Sequence, residues 1–250
     1  MKHVAHVFIA VFVFFSLFGN LNPAKAQTYC IPGDLPYDIL PVDKTAPDFV
    51  SGTVVLWSCY ARGSGFIFEY NGGYFLGSVH HVLYSMRWDE ENPRNPESII
   101  FAWVPNTELL FVLDLNSISF ADTRTRDPFG WYSPTSAEQT QIAQAIRDGE
   151  VLAYTLQYST RNVSAVEIPD IVTEQWLQYQ LTVTSDESLR IETDGTNGVI
   201  CKGNSGGPVV KRGTYIVVGV LSYITDRNSL SNNGRSCALE VYAERIPNWP

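Results

Sequence analysis

Histidine, cysteine and basic charge are scarce in this sequence, and each shortage removes a class of function. Only four histidines occur among 250 residues, and two of them, His3 and His6, fall within the first 26 positions. The four cysteines, Cys30, Cys59, Cys201 and Cys237, form no C-x-x-C pair, which argues against a zinc ribbon or a thioredoxin-like redox motif. His80 and His81 are adjacent, which is not by itself a metal-site spacing, so no metal and no other cofactor is expected. Lysine and arginine number 17 against 26 acids, a formal charge of −9. Such a surface is a poor partner for nucleic acid or an anionic membrane. No apolar run reaches the roughly 20 residues of a membrane-spanning helix. There is also no fixed-period repeat and no low-complexity tract.

The longest apolar run, Val7 to Phe18, follows Lys2 and precedes Ala24-Lys25-Ala26. A basic start, a short apolar stretch and an A-x-A site form the layout of a secretory signal peptide. Cleavage is expected after Ala26, with export to the periplasm or the exterior. The remaining 224 residues keep every acid and lose Lys2 and Lys25, which brings the charge to −11. An even cysteine count in an exported chain suggests two disulfides, and four cysteines allow three connectivities.

Residues 27 to 48 are rich in Pro and Asp and read as an extended arm. From Gly52 onward the texture is β: "TVVLW", "GFIFEY", "GYFLG", "SIIFAWV", "LLFVLDL" and "SISFA" are short apolar or alternating runs separated by "YNGG" and "ENPRNP". One segment differs. "SPTSAEQTQIAQAIRDG" puts Ile142, Ala145 and Ile146 on one helical face. Ser136 and Gln139 have capping-box spacing, and Gly149 offers a stop. Strand runs then resume from "EVLAYTLQYS" to "TYIVVGVLSYI", and the closing "YAERIPNWP" reads as a terminal turn or helix. The expectation is an all-β chain of two antiparallel barrels or sandwiches joined through residues 127 to 149 by a short helix.

Within "GVICKGNSGGPVV", residues 198–210, Ser205 stands among glycines. A nucleophilic serine needs a base, donors for the developing oxyanion, and a carboxylate to orient the base. Glycines let backbone N–H groups approach a substrate oxygen closely, and those of Gly203 and Ser205 could converge on one spot. With the leader removed, the base is His80 or His81. Neighbours on a strand face opposite ways, so only one of them is expected to reach the serine.

"CKGNSGGPVV" resembles the nucleophile motif of the chymotrypsin-fold, or trypsin-like, serine proteases, and "GSGFIFEYNGGYFLGSVHHVL" resembles their histidine-bearing segment. "GVLSY" and "SCALEVYAERIPNW" resemble their substrate-binding strand and closing segment. Together the likeness covers most of residues 50 to 250. It implies two antiparallel six-stranded β-barrels, at about 50–134 and 150–250, in a monomeric serine endopeptidase acting on protein or peptide substrates.

Carried over, Ser205 is the nucleophile, and Gly203 and Ser205 supply the oxyanion hole. His81 is favoured over His80 because Ser78 and the Val-Leu pair after His81 fit the motif. The acid is Glu150 by a gapless match to the strand after the helix, with Asp148 and Asp127 as alternatives. Cys201 and Cys237 occupy positions that form a disulfide in the family, which leaves Cys30 to Cys59. Asn204 replaces the Asp that pairs with a new N-terminus in vertebrate digestive members, so trypsin-type zymogen activation is not expected. Val199 falls at the pocket floor with Ile200 beside it, opposite Ser222-Tyr223-Ile224. An apolar floor does not favour a buried cation, which points to small or medium apolar residues before the scissile bond. The alternative is a catalytically impaired pseudoprotease serving as a binding or scaffold module.

Overall fold

A computed structural model describes residues 50–58, 62–85, 100–105, 107, 109–121, 127–170, 175–183, 189–192, 199–201, 203–224, 229–232, 235–238 and 240–247. The expected leader and arm, Cys30 and Cys59 lie outside the described residues, and so does any pairing of those two cysteines.

Two rings of strands carry the chain. In the first, β1 (Thr53–Trp57) pairs with β2 (Arg62–Tyr70), and β2 with β3 (Gly73–Val79). On the other side β1 pairs with β4 (Ile100–Trp103), and β4 with β5 (Leu110–Leu113). A 3-10 turn at Leu115–Ser117, capped by the Asp114 carboxylate on the Asn116 N–H, hands β5 on to β6 (Ile118–Phe120). Strand β6 pairs with β7 (Phe129–Tyr132), and β7 returns to β3. Because β5 and β6 are one run broken only by that turn, the ring closes with six strand paths. Phe66, Phe68, Phe129, Leu56, Ile67 and Ile100 are all buried in the core that this ring builds.

The second ring runs β9 (Ala165–Asp170), β10 (Gln175–Val183), β11 (Leu189–Glu192), β17 (Glu240–Arg245), β14 (Ile216–Ile224) and β13 (Pro208–Lys211), and β13 closes onto β9. Val166, Ile168, Leu189, Ile191, Val209 and Val218 fill it. The end of the chain is thus a strand through Arg245 rather than the turn or helix expected there. The apolar alternation of Val241 and Ala243 matches β11 and β14 on its two sides. Between the rings, β8 (Tyr154–Leu156) lies parallel to both β2 and β14.

Among the described residues two helices interrupt the strands: α1 (His80–Ser85) and α2 (Ser136–Arg147). The capping box of α2 is Thr135 with Glu138, one residue before the expected Ser136 and Gln139. The Glu138 carboxylate accepts the Thr135 N–H at 2.7 Å and the Tyr132 hydroxyl at 2.9 Å. Gln139 instead docks the helix on β3, accepting the Tyr74 N–H at 2.9 Å and donating to the Tyr74 carbonyl at 2.6 Å. No described helix is long and apolar enough to cross a membrane.

Candidate active site

The two histidines sit at the start of α1 rather than on a strand. In the β3–β7 register Val79 faces Phe129, and the His80 N–H extends the ladder to the Pro128 carbonyl at 2.9 Å. One step further, His81 faces Asp127. Its backbone N–H donates to Asp127 Oδ1 at 2.7 Å, and its ring Nδ1 lies 2.6 Å from Asp127 Oδ2. His80 turns the other way. It stacks on Tyr84 and meets Phe120 edge-on, with ring centroids 4.8 and 4.9 Å away.

The acid at the histidine is therefore Asp127, and Glu150, the first choice from the sequence, is not there. Glu150 is exposed just beyond α2, where its N–H closes the helix on the Ala145 carbonyl. Asp148 caps α2 and accepts the Gln144 side-chain amide. Neither acid bonds to a histidine among the described residues. The strand that follows them, β8, belongs to the seam between the rings, whereas β7 pairs with the end of β3 that leads into His81.

Asp127 is buried and accepts a third hydrogen bond, from the Ser222 hydroxyl to Oδ2 at 2.5 Å. Ser222, expected among the pocket-wall residues, is the extra residue of a bulge where β14 pairs with β17 between Leu221 and Tyr223. A bulge re-aims the side chain it carries, and this one is aimed at the carboxylate. Burial works to raise the Asp127 pKa. The hydrogen bonds from His81 and Ser222, with the His81 charge, outweigh it and hold the group below the ordinary 3.8. An ionised carboxylate only accepts, so Nδ1 carries the proton, which in the neutral imidazole leaves the lone pair on Nε2.

The Ser205 loop packs against the same place from the second ring. The Ser64 N–H in β2 donates to the Ser205 carbonyl at 2.7 Å, and the Gly206 N–H donates to Leu221, next to Ser222, at 2.7 Å. A Cβ on Gly63 would lie 2.6 Å from the side chain of Val82, which follows His81, and 3.1 Å from the Ser205 carbonyl oxygen. The histidine and serine segments thus converge on one stretch of β2. Gly206 has φ +86°, and a Cβ there would meet the Ser64 oxygen at 2.1 Å and Ser78 Oγ at 2.2 Å. The N–H groups of Gly203 and Ser205 donate to no acceptor among the described residues.

Asn204 is buried, and its side-chain oxygen accepts the Cys201 N–H at 3.0 Å. The amide closes its own loop and needs no cationic partner. Asn204→Asp puts a charge in that site and is expected to cost about 1–3 kcal/mol. A thermal scan at neutral pH would show this as a lowered Tm, and an unchanged Tm would contradict it. Cys201 and Cys237 are directly opposed in the β12 (Ile200–Cys201) and β16 (Arg235–Ala238) pair and form a disulfide. Ile200 is buried beside it and Val199 is half-buried. Of Tyr223 and Ile224 only the backbone, in β14, is described.

Residues 125–245 match the family model described as Trypsin, a span that holds both Asp127 and Ser205. Three similar solved structures are the HL collagenase (12% identity, TM-score 0.48, 78% of this chain and 88% of that one), the NSP4 proteinase from Equine Arteritis Virus (11%, 0.40, 75% and 75%) and Deg5 (13%, 0.43, 75% and 83%). No curated protein matches the sequence. The family match over residues 125–245 and the double ring of strands support a chymotrypsin-fold serine peptidase of the trypsin type.

Proposed function

We propose that the chain cleaves peptide bonds through an acyl-enzyme on Ser205, with His81 as base, Asp127 as its orienting acid, and the Gly203 and Ser205 N–H groups as the oxyanion hole. One observation carries it: Asp127 grips His81 by both backbone and ring, which fixes the tautomer that a serine base requires. Ser205 Oγ attacks the scissile carbonyl carbon and its proton passes to His81 Nε2. The tetrahedral oxyanion collapses, the C–N bond breaks, and the amine leaves with the proton from the imidazolium. Water then repeats the sequence on the ester and frees Ser205.

The doubt over an acid, which favoured an impaired binding module, loses its ground with Asp127 in this position. The signal-peptide layout of the first 26 residues supports an exported enzyme. Val199 and Ile200 support an apolar preference before the scissile bond, since neither can balance a buried cation.

A fluorescent fluorophosphonate tests the assignment. Wild type and His80→Ala are expected to label, and Ser205→Ala and His81→Ala are expected not to. A folded wild type that takes no label would remove the reading, and loss of label in His80→Ala alone would move the base to His80.

A further inference from the structure

We propose that Ser64 is a positioning residue that holds the oxyanion hole in its working shape. This rests on the reading of Ser205, Gly203 and His81 given above. Ser64 is buried in β2 and holds the carbonyls of both residues whose N–H groups face the substrate. Its N–H donates to the Ser205 carbonyl at 2.7 Å, and its hydroxyl donates to the Gly203 carbonyl at 2.7 Å.

The fold frees Ser64 for this task. The β2–β3 ladder starts at Phe66 opposite Gly77. At Ser64, therefore, the side of β2 that would meet β3 is open, and the Ser205 loop takes it. The remaining polar group, the Ser64 carbonyl, accepts the Ser78 hydroxyl at 2.8 Å. Ser64 is thus fixed before it fixes anything else.

The consequence falls on Gly203. The peptide joining Gly203 to Asn204 is pinned at both ends, its oxygen by Ser64 Oγ at 2.7 Å and its N–H by the Cys201 carbonyl at 3.1 Å. Without the hydroxyl, one pin is lost and the adjoining Gly203 N–H is free to swing away from a developing oxyanion. Donors preset toward the transition state account for a large share of such catalysis, whereas ground-state binding does not depend on them. Ser64 touches no reacting atom, so it acts only through Gly203 and Ser205.

Ser64→Ala and Ser64→Cys test this, with kcat normalised to folded enzyme by Tm and far-UV circular dichroism. Ser64→Ala is expected to lower kcat about 10- to 100-fold with KM within about two-fold. A peptide aldehyde, whose adduct places an oxyanion in the hole, should lose affinity by the same factor as kcat, while a product peptide of the same sequence binds unchanged. Ser64→Cys keeps the volume with a weak S–H donor and should fall between, which preserves the test if Ser64→Ala does not fold. Wild-type kcat and aldehyde affinity in both variants would overturn the proposal, as would a fall confined to Tm or shared equally by KM. A wild type inert to substrate and fluorophosphonate would instead overturn the reading of the site, and this proposal with it.

Discussion

Asp127→Asn is expected to lower kcat/KM by about 10⁴-fold while leaving the fold in place. The amide matches the carboxylate in size: its oxygen in the place of Oδ1 still accepts the His81 backbone N–H, and its nitrogen in the place of Oδ2 can donate to the Ser222 hydroxyl oxygen. What changes is the proton on His81. An amide nitrogen turned toward Nδ1 donates to it, which moves the ring proton to Nε2, where Ser205 needs a lone pair. Steady-state kinetics on any cleaved peptide would show the loss in kcat, and Asp127→Asn activity within ten-fold of wild type would rule Asp127 out as the orienting acid. Asp148→Asn and Glu150→Gln serve as comparisons and are expected to be silent, because both groups are solvated at the end of α2.

The same substitution has a stability signature. The folded Asp127 binds its proton less readily than the unfolded chain does. The stability drawn from its ionised form is complete above the ordinary value of 3.8 and is lost as pH falls through the lower folded value. Acid unfolding of Asp127→Asn should lack that portion of the pH dependence.

Gly206→Ala is expected to be among the most damaging glycine-to-alanine changes of the described residues, costing about 4–5 kcal/mol. Two causes act together. The backbone at φ +86° is unfavourable for an L side chain. The new Cβ also meets the Ser64 carbonyl oxygen at 2.1 Å, and that atom belongs to a residue paired with β1 at Val55 and accepting the Ser78 hydroxyl. The loop must back away from β2, which breaks the Ser64 contacts to Ser205 and Gly203. At about 2–4 °C per kcal/mol for a chain of this size, the Tm should fall by about 8–20 °C, and the folded remainder should neither label nor cleave. A Tm within about 3 °C of wild type would mean that the loop is not docked on Ser64.

Which parts of this were legible in the sequence follows from the range of the interactions involved. The Ser205 loop and α2 are written in consecutive residues, and Cys201 lies four residues before the serine. All three are read directly, although for the helix Thr135–Glu138 and Ser136–Gln139 fit the capping spacing equally well. The contact of Glu138 with Tyr132 decides between them, and it is tertiary. The acid was not legible in the same way. Asp127 before "PFGW" and Glu150 before "VLAY" look alike locally, an acid leading into a strand. The choice rests on whether β7 or β8 pairs with β3, a contact across about fifty positions. The local hint for Asp127 was its place directly before a strand that precedes the helix, not one that follows it. Ser222 was read as pocket wall for a related reason, since a bulge that turns one side chain leaves no mark in the residues themselves.

Strand β8 lies hydrogen-bonded between β2 of one ring and β14 of the other. His81 and Asp127 are delivered by the first ring and Ser205 by the second, so the groups of the proposed triad sit on opposite banks of a bridge made of backbone. The bridge carries no chemistry, but neither half can melt without pulling on the other. Heat should therefore extinguish peptidase activity and β-sheet ellipticity at one temperature, with no window in which a folded half persists beside a dead site.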